Sequence, residues 1–302
     1  MVEELMITNT SLNITCIMNM DDADYLLYEG CIDWGNISIT HNTFQYSQQI
    51  GKSLTNSVVG TRDISISGWI IGTKDEIESK KKRLSTIINP LNDVEIDVGK
   101  WRITGRPSSN VLFSNNRAEN NSVVCKFLIQ IYCPYPLFTS IKLYGRKLSE
   151  DEGMFKFPWI LPSTGVVMST RKLSSITSIT NSGNVEIGCT ITLEARSTVN
   201  NPKIMNLDTG ENIKINKTMV TNEVITINTT KGSRSVVGHI GNAKDTNYLD
   251  YFDFDNVWLQ LPVGSTNVGY RTYDSKGNED TTYKNLIVTV QYRLSALNME
   301  DE

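Results

Sequence analysis

The sequence has little of the chemistry on which most enzymes depend. It contains only two histidines, His41 and His239, and neither lies near a Gly-x-Ser-x-Gly segment that would present a nucleophile. Residues 51–53 (Gly-Lys-Ser) resemble the end of a phosphate-binding loop, but Tyr46 stands where that loop needs its other glycine. Residues 238–241 contain two glycines but follow no βαβ pattern, which a dinucleotide-binding segment requires. We therefore predict no enzymatic activity, no catalytic residues and no cofactor.

Long apolar runs, Cys-x-x-Cys pairs and an excess of positive charge are also missing. No stretch approaches the ~20 apolar residues that span a bilayer. The first basic residue is Lys52, so we expect neither membrane insertion nor a secretory signal. The five cysteines form no Cys-x-x-Cys pair, which favours buried, reduced thiols. The net charge is -4 with no basic excess in either half, which argues against stable nucleic-acid binding.

The sequence does contain clear strand patterning. Hydrophobic residues make up 39% of the 302 residues, enough for two domains with cores of their own. Alternation of apolar and polar residues, bounded by Gly, Pro, Asn or Ser, is typical of half-buried strands. It occurs in residues 64–67, 94–97, 125–131, 185–195, 224–228 and 286–294. This pattern predicts a mainly β protein.

One segment is predicted to be helical. Thr73 and Glu76 have the spacing of a capping box, in which the hydroxyl accepts from a free backbone amide and the carboxylate accepts from the Thr73 N–H. Apolar residues in 77–88 then recur on one face, and Pro90 ends the helix. We expect this helix to cover a sheet, with residues 94–103 following as a hairpin.

A domain junction is predicted between residues 133 and 164. Four prolines alternate there with aromatic residues and with the acidic run 150–152. We divide the chain into an N-terminal domain, residues 1–138, and a C-terminal domain, residues 139–302. The second half has short strands separated by turn residues, the signature of a β-sandwich. We predict two β-sandwich-like domains, the first with one α-helix and a hairpin arm.

Three aspartates, Asp250, Asp253 and Asp255, form a weak candidate for a calcium site. Carboxylate oxygens suit Ca²⁺, and Asp253 and Asp255 share a face if the segment is extended. The alternative is that all three are solvated loop charges, in which case the chain has no metal site.

Aromatic residues in the second half suggest another class of function. Sandwich modules often stack sugars on aromatic side chains, and Trp159 and Tyr251 are available for this. Trp258 lies in an alternating segment and is predicted to belong to the core. The alternative function is therefore a carbohydrate-binding adhesin module that recognises a bacterial cell-wall sugar. A hydrolase is disfavoured by the histidine count but stays open, because glycosidases need only two carboxylates.

Taken in their order along the chain, these features resemble a known family. The strand 60–68, the capped helix, the hairpin arm 101–105 and the long strand ending at residues 134–136 (Pro-Tyr-Pro) resemble the N-terminal domain of bacteriophage distal tail proteins, the siphovirus-type tail component family. A second set of motifs resembles that family's galectin-like C-terminal sandwich. These motifs are residues 181–186, 201–204, 208–210, 250–258 and 261–264 with Asn267.

The resemblance implies a structural hub protein of the phage tail tip or baseplate. Six copies would form a homohexameric ring through their N-terminal domains. One face would bind the tail tube protein and the other the tail-tip or tail-associated hub protein, while receptor-binding or baseplate proteins would attach to outward C-terminal domains. DNA would pass through the ring only in transit. The protein would be made in the bacterial host cytoplasm and end in the virion.

The first 51 residues carry a charge bias that suggests a role in such a channel. They contain seven acidic residues and no Lys or Arg. Asp21, Asp22 and Asp24 are candidates to face the channel, where like-charge repulsion would keep passing phosphates from binding. The alternative is an outward, solvated edge.

Overall fold

The chain divides into two compact units. The computed structural model describes residues 4–21, 24–148, 150–153, 169–172 and 176–299. The N-terminal unit comprises Met1–Ile141 and Ala296–Glu302, and the C-terminal unit comprises Lys142–Ser295. The domains predicted from sequence are 1–138 and 139–302, and they differ from these units mainly because the prediction assigns residues 296–302 to the second domain. The reason is that alternation in a sequence identifies a strand but does not indicate which sheet the strand joins.

The longer strands of the main sheet in the N-terminal unit alternate buried residues with half-buried or exposed ones, and β7 does so over its whole length. The mainly β fold predicted from this alternation is confirmed. The strands before the unit boundary are β1 (Glu4–Asn9), β2 (Ile14–Asn19), β3 (Tyr25–Leu26), β4 (Ile32–Asp33), β5 (Ile39–Phe44), β6 (Ser53–Val59), β7 (Arg62–Ile71), β8 (Val94–Val98), β9 (Trp101–Pro107), β10 (Leu112–Phe113), β11 (Val124–Cys133) and β12 (Phe138–Ser140).

Eleven strands of the N-terminal unit form one sheet that closes on itself. The order is β10-β11-β7-β3-β2-β1-β8-β9-β12-β29, with β4 beside β7, where β29 (Ser295–Ala296) is the last strand of the chain. Strand β11 also pairs with β9, with Ile131 opposite Pro107. The predicted hairpin is β8–β9, and Gly99 has a φ of +53° in its turn, a conformation that favours glycine. Closure leaves few strand edges free for another chain.

The helix α1 (Lys74–Ile87) packs on this sheet. Its buried residues are Ile77, Leu84 and Ile87, which recur at helical spacing. The buried Asn9 side chain donates a hydrogen bond of 2.8 Å to the Ile87 carbonyl and so satisfies an acceptor at the end of the helix. In the described ranges, neither α1 nor any other helix combines the length and apolar character that a membrane span needs.

The described residues of the C-terminal unit form strands and two short 3₁₀ segments, η1 (Leu249–Tyr251) and η2 (Thr282–Asn285). Its strands are β13 (Tyr144–Lys147), β14 (Glu150–Gly153), β15 (Ser169–Lys172), β16 (Ile176–Asn181), β17 (Ile187–Gly188), β18 (Thr190–Ala195), β19 (Val199–Asn200), β20 (Pro202–Asn206), β21 (Asn212–Lys214), β22 (Thr218–Met219), β23 (Glu223–Asn228), β24 (Ser235–Ile240), β25 (Thr246–Asn247), β26 (Gln260–Leu261), β27 (Gly264–Thr272) and β28 (Leu286–Tyr292).

Two sheets of the C-terminal unit face each other. One has the order β13-β28-β18-β23-β24-β25, and the other has the order β16-β27-β20-β21. A small cavity between them is lined by Ile191 and Val290 of the first sheet and by Val268 of the second. These side chains are buried, so the inner faces of the two sheets form the core of the unit.

Candidate functional site

Strands β5 and β6 form a two-stranded sheet of their own. Ile39 pairs with Val59 and Phe44 with Ser53, and the register shifts at a bulge after Asn42. All residues of the two strands except Ser53 are exposed. An isolated two-stranded sheet has marginal stability in water. The β5–β6 hairpin is therefore the element of the N-terminal unit that gains most from being covered.

The β5–β6 hairpin exposes apolar side chains on both faces and at its tip. Directly opposite residues share a face, so Ile39 and Val59 lie on one face, and Val58, opposite Thr40, lies on the other. The exposed apolar residues are Ile39, Phe44, Tyr46, Ile50, Leu54, Val58 and Val59. Together they present on the order of 900 Å², comparable to the ~800 Å² that each partner contributes to a standard protein interface.

Polar contacts shape the hairpin without using these apolar side chains. At its base, Thr61 N–H donates to Ser38 Oγ at 3.0 Å, and Gly60 N–H donates to the Ser38 carbonyl at 2.7 Å. Between the strands, Asn42 Nδ2 donates to Asn56 Oδ1 at 2.6 Å, and His41 Nδ1 lies 2.8 Å from a hydroxyl of β6. These contacts leave the apolar side chains exposed, and among them Phe44 and Tyr46 pack edge-on at 4.9 Å.

Sequence reasoning missed the hairpin as a surface. Residues 51–53, interpreted above only as an incomplete phosphate-binding motif, lie where the chain turns, and Gly51 has a φ of +81°. Residues 39–61 contain a single charged side chain, Lys52. Depletion of charge is typical of interface cores. The sequence signal that could have identified this surface is a pair of strand-like segments on either side of Gly51, within a stretch that has almost no charge.

The acidic residues near the N-terminus have different surroundings. Asp24 forms ion pairs with two cations of α1, at 3.2 Å from Lys80 and 3.4 Å from Arg83. Asp21 is exposed, and its N–H donates to the Asn19 side chain. Asp22 lies outside the described residues. The negative charge of Asp24 is therefore locally balanced, and that of Asp21 faces solvent.

Thr73 is the N-cap residue of α1. The Glu76 carboxylate accepts hydrogen bonds from the Thr73 N–H at 2.7 Å and from the Thr73 hydroxyl at 3.0 Å. These two bonds to the charged form lower the pKa of the Glu76 carboxyl. The pair stabilises the start of the helix.

The three aspartates near residue 250 do not converge. Asp250 lies in η1, whereas the Asp253 carboxylate accepts from Asn216 Nδ2 at 2.9 Å and lies 3.7 Å from Lys214 Nζ. The hydrogen bonds from Asn216 and from the Asp255 N–H lower the pKa of Asp253. Across the described part of the chain, no three His, Cys, Asp or Glu side chains are grouped to hold a metal.

Two aromatic side chains that could stack a sugar, Tyr251 and Trp258, already have partners. Tyr251 packs edge-on against Tyr248 at 5.4 Å, and Lys217 Nζ lies 5.4 Å from the centre of the Tyr251 ring. Trp258 stacks on Phe252 at 4.5 Å. Trp159 lies outside the described residues. These contacts reduce the aromatic surface on which a sugar would stack.

The prediction that Trp258 belongs to the core is wrong. Its neighbours Leu259 and Leu261 are the buried residues of this segment, so Trp258 points outward and is half-buried. The Arg234 guanidinium lies 5.5 Å from its ring centre. Residues 258–261 do alternate between buried and more exposed positions, but alternation in a sequence does not indicate which of the two sets of residues faces the core.

The groups most suited to nucleophilic chemistry are held in unreactive surroundings. All five cysteines are buried and free. Burial raises the pKa of Cys16 and of Cys133 to about 12 and that of Cys189 to about 11, so these thiols stay protonated at neutral pH. His239 Nδ1 lies 2.8 Å from Asp245 Oδ1 on the surface.

Comparison with known proteins identifies relatives of this fold. Residues 182–287 match the family model of the siphovirus-type tail component, C-terminal domain. The Dit protein of phage SPP1, described as a paradigm of the hub adsorption apparatus in Gram-positive infecting phages, is similar to the chain with a TM-score of 0.63 and 13% identity, over 96% of this chain and 98% of that one. The predicted resemblance to distal tail proteins is confirmed.

A chain of the phage P2 baseplate in its activated conformation with Ca is also similar, at 12% identity over 99% of this chain and 100% of that one. Its TM-score of 0.47 is too low to support an argument about fold. No curated protein sequence matches the chain significantly.

Proposed function

We propose that the chain is a structural hub protein of a phage tail tip or baseplate. Several copies, six in the simplest form, assemble into a ring through their N-terminal units. The ring joins the tail tube protein to the tail-tip or tail-associated hub protein, DNA passes through it in transit, and the protein's final location is the virion. The C-terminal units carry further baseplate or receptor-binding contacts. Support comes from the family match of residues 182–287 and from the fold shared with the SPP1 protein.

The observation that carries the assembly proposal is the β5–β6 hairpin. The accessible area of its exposed apolar residues is comparable to one side of a standard interface, and residues 39–61 contain a single charged side chain, Lys52. We propose that a second copy of this chain covers it. A hairpin that leaves its own unit and binds a different surface on the next copy makes a heterologous contact, and such contacts form rings when the rotation closes.

Native mass spectrometry of the full chain tests this proposal. We compare the parent with the Leu54→Glu/Val58→Glu variant, which places two charges on exposed hairpin positions, and with Leu249→Glu as matched control, because Leu249 is 47% exposed and Val58 51%. We expect a cyclic oligomer for the parent and the control and a folded monomer for the double variant, with a cooperative unfolding transition that no longer depends on protein concentration. A strictly monomeric parent, or a double variant that assembles normally, would overturn the proposal.

We also propose that part of the acidic N-terminal stretch lines the channel. The Asp24 charge is balanced by Lys80 and Arg83, so repulsion of passing phosphates falls mainly to Asp21, which is exposed, and to Asp22. A ring structure with these carboxylates on its outer surface would contradict this placement.

A further inference from the structure

Arg62, the first residue of β7, is a buried cation. Its side chain is only 2% exposed. The guanidinium lies 4.7 Å from the centre of the Phe138 ring, and its Nη2 donates a hydrogen bond of 2.5 Å to the Leu297 carbonyl. Its Nε has no hydrogen-bond partner among the described residues. Among the described residues, the Leu297 carbonyl therefore accepts the hydrogen bond of the buried Arg62 guanidinium.

That acceptor comes from the far end of the chain. Leu297 follows β29, which lies beside β12 at the edge of the closed sheet, and Ala296 is buried. Ala296 and Leu297 belong to the N-terminal unit, although 235 residues separate Leu297 from Arg62. The N-terminal unit is therefore discontinuous in sequence.

Burial makes this contact important. A buried charge that loses its partner is far more costly than an exposed one, because water cannot replace the lost hydrogen bond. Burial also lowers the pKa of Arg62. The Phe138 ring can attract the cation, but it accepts no hydrogen bond in the plane of the guanidinium.

We infer that the N-terminal unit contains a binding site for an extended peptide strand, formed by the edge of β12 and the Arg62 guanidinium, and that residues 296–297 of the same chain are its ligand. The C-terminal unit is then an insertion between two parts of the N-terminal unit. A fragment that ends at residue 138, the boundary predicted from sequence, lacks part of its own fold. If the ring of the proposed function exists, it needs the C-terminal strand as well as residues 1–141.

Hydrogen exchange of the full chain tests the inference through two deletions. Removal of residues 296–302 takes away most of the strand and the Leu297 carbonyl, whereas removal of residues 299–302 keeps both, with the Leu297 carbonyl still in a peptide bond, and is the matched control. We expect backbone amides of β12 and β7 to exchange at least tenfold faster in the first deletion and at the parent rate in the second. Amides of β23, in the C-terminal unit, should be unchanged in both.

Arg62→Met separates the charge from the packing of the strand. Met still covers the Phe138 ring but needs no acceptor, so deleting residues 296–302 from this variant should accelerate exchange much less than in the parent. Equal acceleration in both backgrounds would overturn the role of Arg62. If Arg62→Met does not fold, the two deletions decide alone, and parent-like exchange without residues 296–302 would overturn the inference.

Deleting residues 296–302 from the Leu54→Glu/Val58→Glu chain distinguishes this inference from the assembly proposal. If this deletion accelerates hydrogen exchange of β12 in a chain that cannot assemble, the C-terminal strand stabilises the N-terminal unit itself. If the parent proves monomeric, the proposed function fails, and the deletion result still stands.

Discussion

Replacing Lys217 should destabilise the C-terminal unit strongly, because this residue neutralises a fully buried carboxylate. Glu223 is 0% exposed, and its side chain forms an ion pair of 3.0 Å with Lys217 Nζ and accepts a hydrogen bond of 2.9 Å from the Val220 N–H. Lys217 Nζ also lies 5.4 Å from the ring centres of Tyr248 and Tyr251. Burial and the neighbouring Glu223 carboxylate raise the pKa of Tyr248.

Lys217→Met keeps the aliphatic stem and removes the charge. Removal of one partner of a buried ion pair costs on the order of 3 kcal/mol, because the other charge stays buried without compensation. Loss of the cation–π contacts adds about 0.5 kcal/mol or more. For a unit of this size we expect the thermal midpoint to fall by about 10 °C.

The double variant Lys217→Met/Glu223→Leu is the control for charge. It removes both ions, so its stability should return to within about 1–2 kcal/mol of the parent, the remainder reflecting the Val220 N–H left without its acceptor. Chemical denaturation of the parent, of the single variants Lys217→Met and Glu223→Leu and of the double variant, with hydrogen exchange of β23 to assign the transition, gives the four free energies of the cycle. A Lys217→Met variant within about 0.5 kcal/mol of the parent, or a double variant no better than the single one, would refute the reasoning.

Three further outcomes are expected. Thr73→Ala should lower the stability of the N-terminal unit by about 1 kcal/mol through loss of the cap of α1, and an unchanged denaturation midpoint would show that the hydroxyl contributes nothing. A thiol reagent at pH 8 should label none of the five buried cysteines in the native protein and all five in denaturant, so rapid native labelling would contradict their burial. In assembled particles, Asp21→Lys should slow DNA release without affecting assembly if the residue lines the channel. Asp24→Lys should also destabilise the N-terminal unit, because it breaks the ion pairs with Lys80 and Arg83. DNA release at the parent rate from Asp21→Lys particles would argue that Asp21 lies on the outer surface.

The alternative of a carbohydrate-binding adhesin gains no support from Trp258 and Tyr251. Trp258 is stacked on Phe252 and lies beside Arg234, and Tyr251 is packed against Tyr248 with Lys217 over its ring. Glycan-array binding by the full chain would restore that alternative.

The sequence by itself determined the features that depend on neighbouring residues. Period-two alternation identified the segments that became β7, β8 and β11, and the spacing of Thr73, Glu76 and the following apolar residues located α1. The order of such local motifs also carried the resemblance to distal tail proteins. These features are readable because helix caps and strand periodicity are set within a few residues.

Only the tertiary structure decided which surfaces the strands present and to which unit each belongs. Trp258 lies in a segment that alternates as predicted, but it is one of the outward-facing residues. Strands β5 and β6 form a two-stranded sheet of their own, and nearly all of their residues are exposed. The Arg62–Leu297 contact joins residues 235 positions apart, and no local pattern specifies it. The physical reason is that alternation fixes two faces of a strand, whereas the choice between them depends on partners brought together by the whole chain.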